Sequence, residues 1–196
     1  MASPVEQAVV MERNGGESAI VEGNGGEAVV VDGKGGAEAK EVKWLKHYSS
    51  AQSILIVGDG DFSFSRALAT AFGSGDNLVA TSLDTYGYLS IMYTEAESNV
   101  TELKRMGATV LHGVDATTMK NHTYLKNNRF DRIVFNFPHA GFPGHETQKH
   151  MINSHKALVG AFFGNASQLL RPDGEIHVTH KTGASILQMG DRTVSL

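Results

Sequence analysis

The residues of this chain best placed to do chemistry begin in "ILIVGDGDFSFS", where an apolar tetrad, Ile54 to Val57, runs straight into Gly58, Asp59, Gly60 and Asp61. A dinucleotide fingerprint would require glycine where Ser63 stands, and a P-loop would require Gly-Lys-Ser/Thr, which is absent. Asp59 and Asp61 would meet a pyrophosphate with like charge. At about 4 Å and an effective dielectric near 20 that repulsion is about 4 kcal/mol per pair before solvent screening. A phosphate ligand is disfavoured, and a ligand that brings positive charge is favoured. S-adenosyl-L-methionine fits that description, with an ammonium, a sulfonium and no phosphate. Without a ligand, Gly-Asp-Gly is also ordinary turn material.

Two further acids and one loop extend the set. Asp84 closes "LVATSLD", where a carboxylate could accept hydrogen bonds from both ribose hydroxyls of a nucleoside, in NAD as well as in S-adenosyl-L-methionine. Asp115 in "HGVDATTM" could reach an adenine amino group, or equally act as an N-cap for the next helix. The string "FDRIVFNFPHAGF" ends an apolar run on Asn136, Phe137, Pro138 and His139. It resembles the Asn/Asp-Pro-Pro-aromatic loop with which Rossmann-like methyltransferases act on planar nitrogens, with Phe137 in place of the first proline and His139 in place of the aromatic. The plainer reading is a strand that stops because proline cannot continue its ladder.

These residues need a scaffold that brings them together. Short Val- and Ile-rich runs predict strands at Ser53–Val57, Asn77–Leu83, Thr109–Val114, Arg132–Phe137 and Glu175–Thr179. Between the second and third, Leu89, Met92, Tyr93, Ala96, Val100 and Leu103 share one helical face, which Gly107 would end. A second helix is expected from Met151 to Leu170, stopped by Arg171-Pro172-Asp173-Gly174. Alternating strands and helices predict an α/β, Rossmann-like doubly wound, mostly parallel sheet. In such a sheet ligands sit beyond the carboxyl ends of the strands, where all four clusters fall.

Composition narrows the class. With 41% hydrophobic residues, 196 residues can bury one sizeable core. There is no cysteine, so thiolate metal sites and disulfides are out, and a reducing, intracellular setting is expected. His145 and His150 stand five apart, too far round a helix to share a metal, and His177 and His180, three apart on a strand, fall on opposite faces, so no metal site is expected. No basic-apolar leader or membrane-length apolar run is present.

Residues 1–43 differ from the rest. A Gly-Gly pair recurs at Gly15, Gly25 and Gly35 with acidic and small residues between, which predicts a disordered tail with transient extended pieces at Ala19-Ile20-Val21 and Val29-Val30-Val31. Residues 1–40 carry seven acids against three bases, so the net charge of −4 belongs to them and the remainder is neutral. Any RNA contact would rest on a local patch such as Lys120, Lys126, Arg129 and Arg132, although such a run is more often a solvated surface.

The blocks "ILIVGDGDFSFSRALA", "LVATSLDTY", "GATVLHGVDATTM", "FDRIVFNFPHAGF" and "GEIHVTHKT" together resemble the 25S rRNA (uridine-N3)-methyltransferase-like domain family over roughly residues 50 to 182. The resemblance implies a class I S-adenosyl-L-methionine-dependent methyltransferase domain at 44–196, acting on N3 of a uridine in large-subunit ribosomal RNA, in the nucleolus, nucleus or cytoplasm. It implies a cofactor turn at Gly58, Asp59, Gly60 and Asp61, a ribose acid at Asp84, an adenine-side acid at Asp115 and a target loop at Asn136, Phe137, Pro138 and His139. N3 of uracil must lose its imide proton, and His139 is the candidate base, or else only a packing residue of the loop. A complete fold of this class continues with a helix and a strand hairpin, whereas only fourteen residues follow Thr182. That predicts an incomplete, weakly active domain whose fifth strand, Glu175 to Thr179, is an exposed edge prone to self-association. The alternatives are a non-catalytic RNA-binding scaffold of the same fold and, less favoured, an NAD-dependent oxidoreductase.

Overall fold

The protein is described by a computed structural model that covers residues 6–12, 41–141 and 149–181. In chain order the elements are β1 (Glu6–Glu12), β2 (Trp44–Leu45), β3 (Tyr48–Ser49), β4 (Ile54–Val57), α1 (Ser63–Phe72), β5 (Leu78–Ser82), α2 (Tyr86–Met92), α3 (Ala96–Arg105), β6 (Thr109–His112), β7 (Phe130–Asn136), α4 (Lys149–Ala166) and β8 (Leu170–Lys181). Five of the strands form a parallel sheet in the order β8-β7-β4-β5-β6, and β1 adds to it antiparallel beside β8. This is the expected Rossmann-like arrangement. Strand order reverses at β4, which makes the cleft above β4, β5 and β7 the switch point where ligands bind in open α/β sheets.

The pleat explains why β4 is apolar throughout. Leu55 and Val57 pack into a core with Ile133, Phe135 and Phe162, while Ile54 and Ile56 pack into a second core with Leu68, Phe72 and Leu103. A central parallel strand buried on both faces has no polar position to offer. Helix α4 covers the first core, and α1, α2 and α3 cover the second.

Several expected boundaries shift. The single helical face from Leu89 to Leu103 is divided between α2 and α3, broken at Tyr93-Thr94-Glu95. Leu89, Ala96, Val100 and Leu103 are buried as expected, but Met92 and Tyr93 are exposed. Gly107 does follow the helix, at φ 92°, one residue past the Met106 C-cap. Arg171-Pro172-Asp173-Gly174 does not separate helix from strand but lies within β8, where the pairing slips from Phe130↔Leu170 to Arg132↔Glu175. Such a bulge accommodates proline, which a regular ladder would not.

The expectation of an unpaired fifth-strand edge is corrected. Glu6 to Glu12, within the predicted disordered tail, pairs with Lys181 back to Glu175 in an unbroken antiparallel register. The expected lack of a terminal helix and hairpin concerns residues 182–196, outside the described residues.

Candidate active site

The turn after β4 is built by its aspartates. Gly58 adopts φ 63°, and a Cβ there would stand 2.8 Å from the Phe135 ring, so only glycine lets β4 and β7 approach this closely before the chain turns. The N-cap of α1 is Phe62, at φ 65° and fully buried, with no side-chain oxygen to offer the first turn. Both aspartates supply what is missing. Asp59 Oδ2 accepts from the Ser65 backbone N–H at 2.8 Å and from the Ser65 hydroxyl, and Asp61 Oδ1 accepts from the Ser63 N–H at 3.0 Å. Burial pushes the Asp59 carboxyl above the usual carboxylate range, against the lowering effect of its bonds to Ser65. Asp59 therefore faces inward to the helix start, and the expected pair of carboxylates facing a ligand reduces to Asp61. Its backbone carbonyl is held by Asn99 Nδ2 at 2.9 Å, and Arg66 holds Asn99 Oδ1 at 2.9 Å.

Gly60 leaves space beside the turn, since a Cβ there would meet only the Tyr93 hydroxyl, at 3.9 Å. Its carbonyl accepts from the Ser82 hydroxyl at 3.5 Å, and Ser82 Oγ accepts from the Asp84 N–H at 3.3 Å. This ties the end of β5 to the glycine turn. Asp84 is half-buried, and its carboxylate has no hydrogen-bond or ion-pair partner among the described residues. Its backbone carbonyl accepts from Gly113 N–H at 3.3 Å, which brings the loop after β6 alongside. Asp115 sits farther along that loop, exposed, and Oδ1 accepts from both the N–H and the hydroxyl of Thr117 at 2.7 Å each. This is a local turn onto Thr117 and not the N-cap weighed against a ligand contact, since Thr118 holds the N-cap position of the short helix that follows, and it occupies one of the two carboxylate oxygens.

A residue that motif reading passed over stands here. His112 ends β6 with its ring edge-on between Phe62, at 5.3 Å, and Tyr86, at 5.6 Å, and neither ring nitrogen completes a hydrogen bond among the described residues. Burial holds this imidazole below its ordinary value, with Lys104 adding to the effect and the Asp84 carbonyl opposing it. An unpaired buried imidazole is disfavoured unless something else meets it. The only sequence signal was its position immediately before Gly113 at a strand end.

The loop after β7 starts beside the switch point, at the carboxyl end of the strand next to β4. Asn136 Oδ1 accepts from the Thr179 hydroxyl at 2.8 Å, and Phe137 N–H donates to the Thr179 carbonyl at 2.8 Å, so β8 holds the loop at two points. Phe137 adopts φ 48° and is 44% exposed, while Pro138 beside it in the chain is buried. A bulky residue in the left-handed region is uncommon and strained. His139 is exposed, and Nδ1 accepts from the Gly141 N–H at 2.9 Å. While that bond stands, the neutral ring carries its proton on Nε2 and presents a donor rather than a base.

The structure thus gathers Gly58, Gly60, Asp61, Asp84 and His112 around the ends of β4, β5 and β6, with the Asn136 loop at the end of β7. Asp59 and Asp115 serve mainly the turns they stand in. A separate cavity of about 450 Å³, lined by Lys43, Gly73, Ser74, Asp76 and Asn77 among others, lies at the opposite, amino end of the sheet. The basic run is partly spent: Arg132 pairs with Glu175 at 3.2 Å, and Arg129 binds the carbonyls of Lys126 and Asn128. No group of three metal-ligating side chains occurs among the described residues, and no helix among them is long and apolar enough to cross a membrane.

A family described as rRNA (uridine-N3-)-methyltransferase BTM5-like matches residues 55–192 of this sequence. The chain belongs to this family. It is 54% identical over 148 residues to heavy metal-associated isoprenylated plant protein 41 of Arabidopsis thaliana, a match covering 76% of this chain and 29% of the relative. An uncharacterized Arabidopsis thaliana protein is 54% identical over 142 residues, covering 71% of this chain and 68% of the relative. The 25S rRNA (uridine(2634)-N(3))-methyltransferase of Saccharomyces cerevisiae is 31% identical over 143 residues, covering 62% of this chain and 42% of the yeast protein. The chain thus spans less than a third of the first of these relatives and less than half of the yeast enzyme.

Methyltransferase families of this kind draw their methyl group from S-adenosyl-L-methionine. Among the described residues the Asp84 carboxylate has no partner and Gly60 has an open side, two features compatible with a donor that carries a nucleoside.

Proposed function

We propose that residues 44–196 form an S-adenosyl-L-methionine-dependent methyltransferase domain that methylates N3 of a uridine in large-subunit ribosomal RNA. The observation that carries this reading is the set of adjacent strand ends, β4, β5 and β7, bearing the glycine turn, an unengaged Asp84 and the Asn136 loop, in a chain of the uridine-N3 methyltransferase family. Gly58, Gly60 and the backbone of the turn would hold the amino-acid portion with Asp61 beside its ammonium. Asp84 would hold the ribose, and Asp115 and His112 would flank the base. The bound donor supplies an electrophilic methyl on a sulfonium that leaves as a neutral thioether.

On the substrate side, Phe137 offers an exposed ring on which a pyrimidine can stack. The Asn136 amide, its oxygen engaged by Thr179, would donate from Nδ2 to a uracil carbonyl. His139 Nε2–H would do the same. Two donors on the imide carbonyls stabilise the N3 anion and make the proton easier to lose to water, a role that replaces the general base expected from sequence. An intracellular site, nuclear, nucleolar or cytoplasmic, is part of the same proposal.

The test is calorimetric titration of the full chain with S-adenosylhomocysteine and with NAD, followed by radiolabelled methyl transfer to large-subunit rRNA. Binding of the first ligand only, with label on uridine, is the expected result. Binding of neither ligand, with RNA retained, would replace this reading by the non-catalytic scaffold.

A further inference from the structure

The outer edge of β8 holds one short segment whose pattern, a glutamate followed two residues later by three apolar residues, occurs three times in the chain. The paired strand β1 reads Glu6-Gln7-Ala8-Val9-Val10-Met11-Glu12. Two more stretches share its pattern, Glu17-Ser18-Ala19-Ile20-Val21-Glu22-Gly23 and Glu27-Ala28-Val29-Val30-Val31-Asp32-Gly33, each set off by a Gly-Gly pair. All three begin with glutamate, continue with one small or polar residue and carry three apolar residues at the same positions. The register places Glu6 opposite Lys181, Ala8 opposite Thr179, Val9 opposite Val178 and Val10 opposite His177. Transferred to the second and third units, that register would set Glu17 or Glu27 opposite Lys181, Ile20 or Val30 opposite Val178, and Glu22 or Asp32 opposite Ile176 where the first unit has Met11.

We propose that the β8 edge is an acceptor site for an extended peptide of this pattern, filled interchangeably by any of the three units of the same chain. An antiparallel ladder is made by main-chain groups, which are identical in all three units, and selects only where side chains alternate. The β-branched centre, Ala-Ile-Val or Val-Val-Val, suits a strand at least as well as Ala-Val-Val. At the far end Glu12 stands opposite Glu175, a like-charge placement that disfavours pairing. Gly23 and Gly33 remove that carboxylate, at the expense of glycine's weaker strand preference. Loop closure depends only slowly on the tether length that distinguishes the units, so the distance along the chain to β8 favours none of them strongly. The repeat is thereby explained as redundancy: the edge stays covered when any one unit is away.

The chain has no cysteine, so introduced pairs report without background. Double variants Val9→Cys with Val178→Cys, and Ala8→Cys with Thr179→Cys, test the first unit in the full chain. Neighbouring rungs are used because one of the two is the non-hydrogen-bonded pair, where Cβ atoms are close enough for a disulfide. The same partners are combined with Ile20→Cys or Ala19→Cys, and with Val30→Cys or Val29→Cys. Each set is made with and without Val10→Pro, combined with Met11→Pro so that a ladder donor is lost from the first unit whichever of the two N–H groups faces β8. The control joins Ile20→Cys to Ile91→Cys, a residue 83% exposed on α2.

The expected result is an intrachain disulfide for all three units, with the second and third rising several-fold when the two prolines block the first. Cross-links from the second and third units that stay at the control level, or that form only between two chains, would overturn the proposal. If the two prolines prevent folding, judged by circular dichroism, the unblocked chains decide alone. Cross-linking above control then supports the acceptor site, and control-level cross-linking refutes it.

Discussion

Asp84 and Asn136 separate binding from chemistry. The Asp84 carboxylate is unengaged within the described protein, so a ribose would be its first partner, and hydrogen bonds to a charged group contribute about 1.5–3 kcal/mol each. Asp84→Ala should weaken S-adenosylhomocysteine binding by at least about tenfold, equivalent to about 1.4 kcal/mol, by calorimetry. Unchanged affinity would remove the ribose from this position. Asn136→Ala should instead lower turnover far more than cofactor affinity, since its proposed partner is the substrate base. Because Thr179 is the only residue among those described that bonds the Asn136 amide, Thr179→Val should produce a milder loss in the same direction. Proportional losses of cofactor binding and rate in both variants would make Asn136 structural. Motif reading located these two residues because each terminates a strand. It did not find that Asp59 turns inward, because that follows from the phenylalanine at the N-cap, which leaves the first turn of α1 without a capping side chain.

At the scale of elements, the bulge within β8 depends on one glycine. A Cβ on Gly174 would stand 2.6 Å from Leu170 Cδ2 and 2.9 Å from the Phe130 carbonyl, so the bulge closes only without a side chain. Gly174→Ala should destabilise the protein by about 1–3 kcal/mol, the usual magnitude of overpacking, read from the denaturant midpoint. A midpoint equal to wild type would mean that the bulge relaxes freely. In this segment Pro172 and Gly174 mark an interruption without saying whether it ends a helix or bends a strand. Only the pairing of Glu175 with Arg132 in β7 resolves it. The split between α2 and α3 was likewise hidden, since Leu89, Ala96, Val100 and Leu103 keep helical spacing across the break and all reach the same core.

For the molecule as a whole, three histidines give stability a common pH dependence. His112, His177 and His180 are each held below the ordinary imidazole value of 6.5, in every case chiefly by burial. His177 sits between the Tyr48 hydroxyl at 3.1 Å and Glu175 at 2.9 Å, and the same burial pushes the Tyr48 phenol up to about 12. A depressed imidazole binds fewer protons folded than unfolded in the window below 6.5, so stability rises with pH there and is lost as pH falls through it. The melting temperature should therefore drop between about pH 7.5 and about pH 5.5, near the reference titration of histidine. His177→Gln should flatten that drop. An unchanged slope in the variant would assign the pH dependence to other groups.

The sequence by itself determined the order of strands and helices, the α/β class and the strand-end positions of Gly58, Asp84 and Asn136. These arise from local periodicity and from turn chemistry, which act over a few residues. Tertiary structure decided what distant segments supply to one another: the Thr179 hydroxyl on Asn136, forty-three residues away, and His112 enclosed by Phe62 and Tyr86. It also decided the fate of the β8 edge. Glu6 to Glu12 looks like tail because its glycine-rich, acidic surroundings cannot bury a core of their own. It becomes a strand because a ladder needs only main-chain groups and an open edge, and the edge lies more than 160 residues downstream.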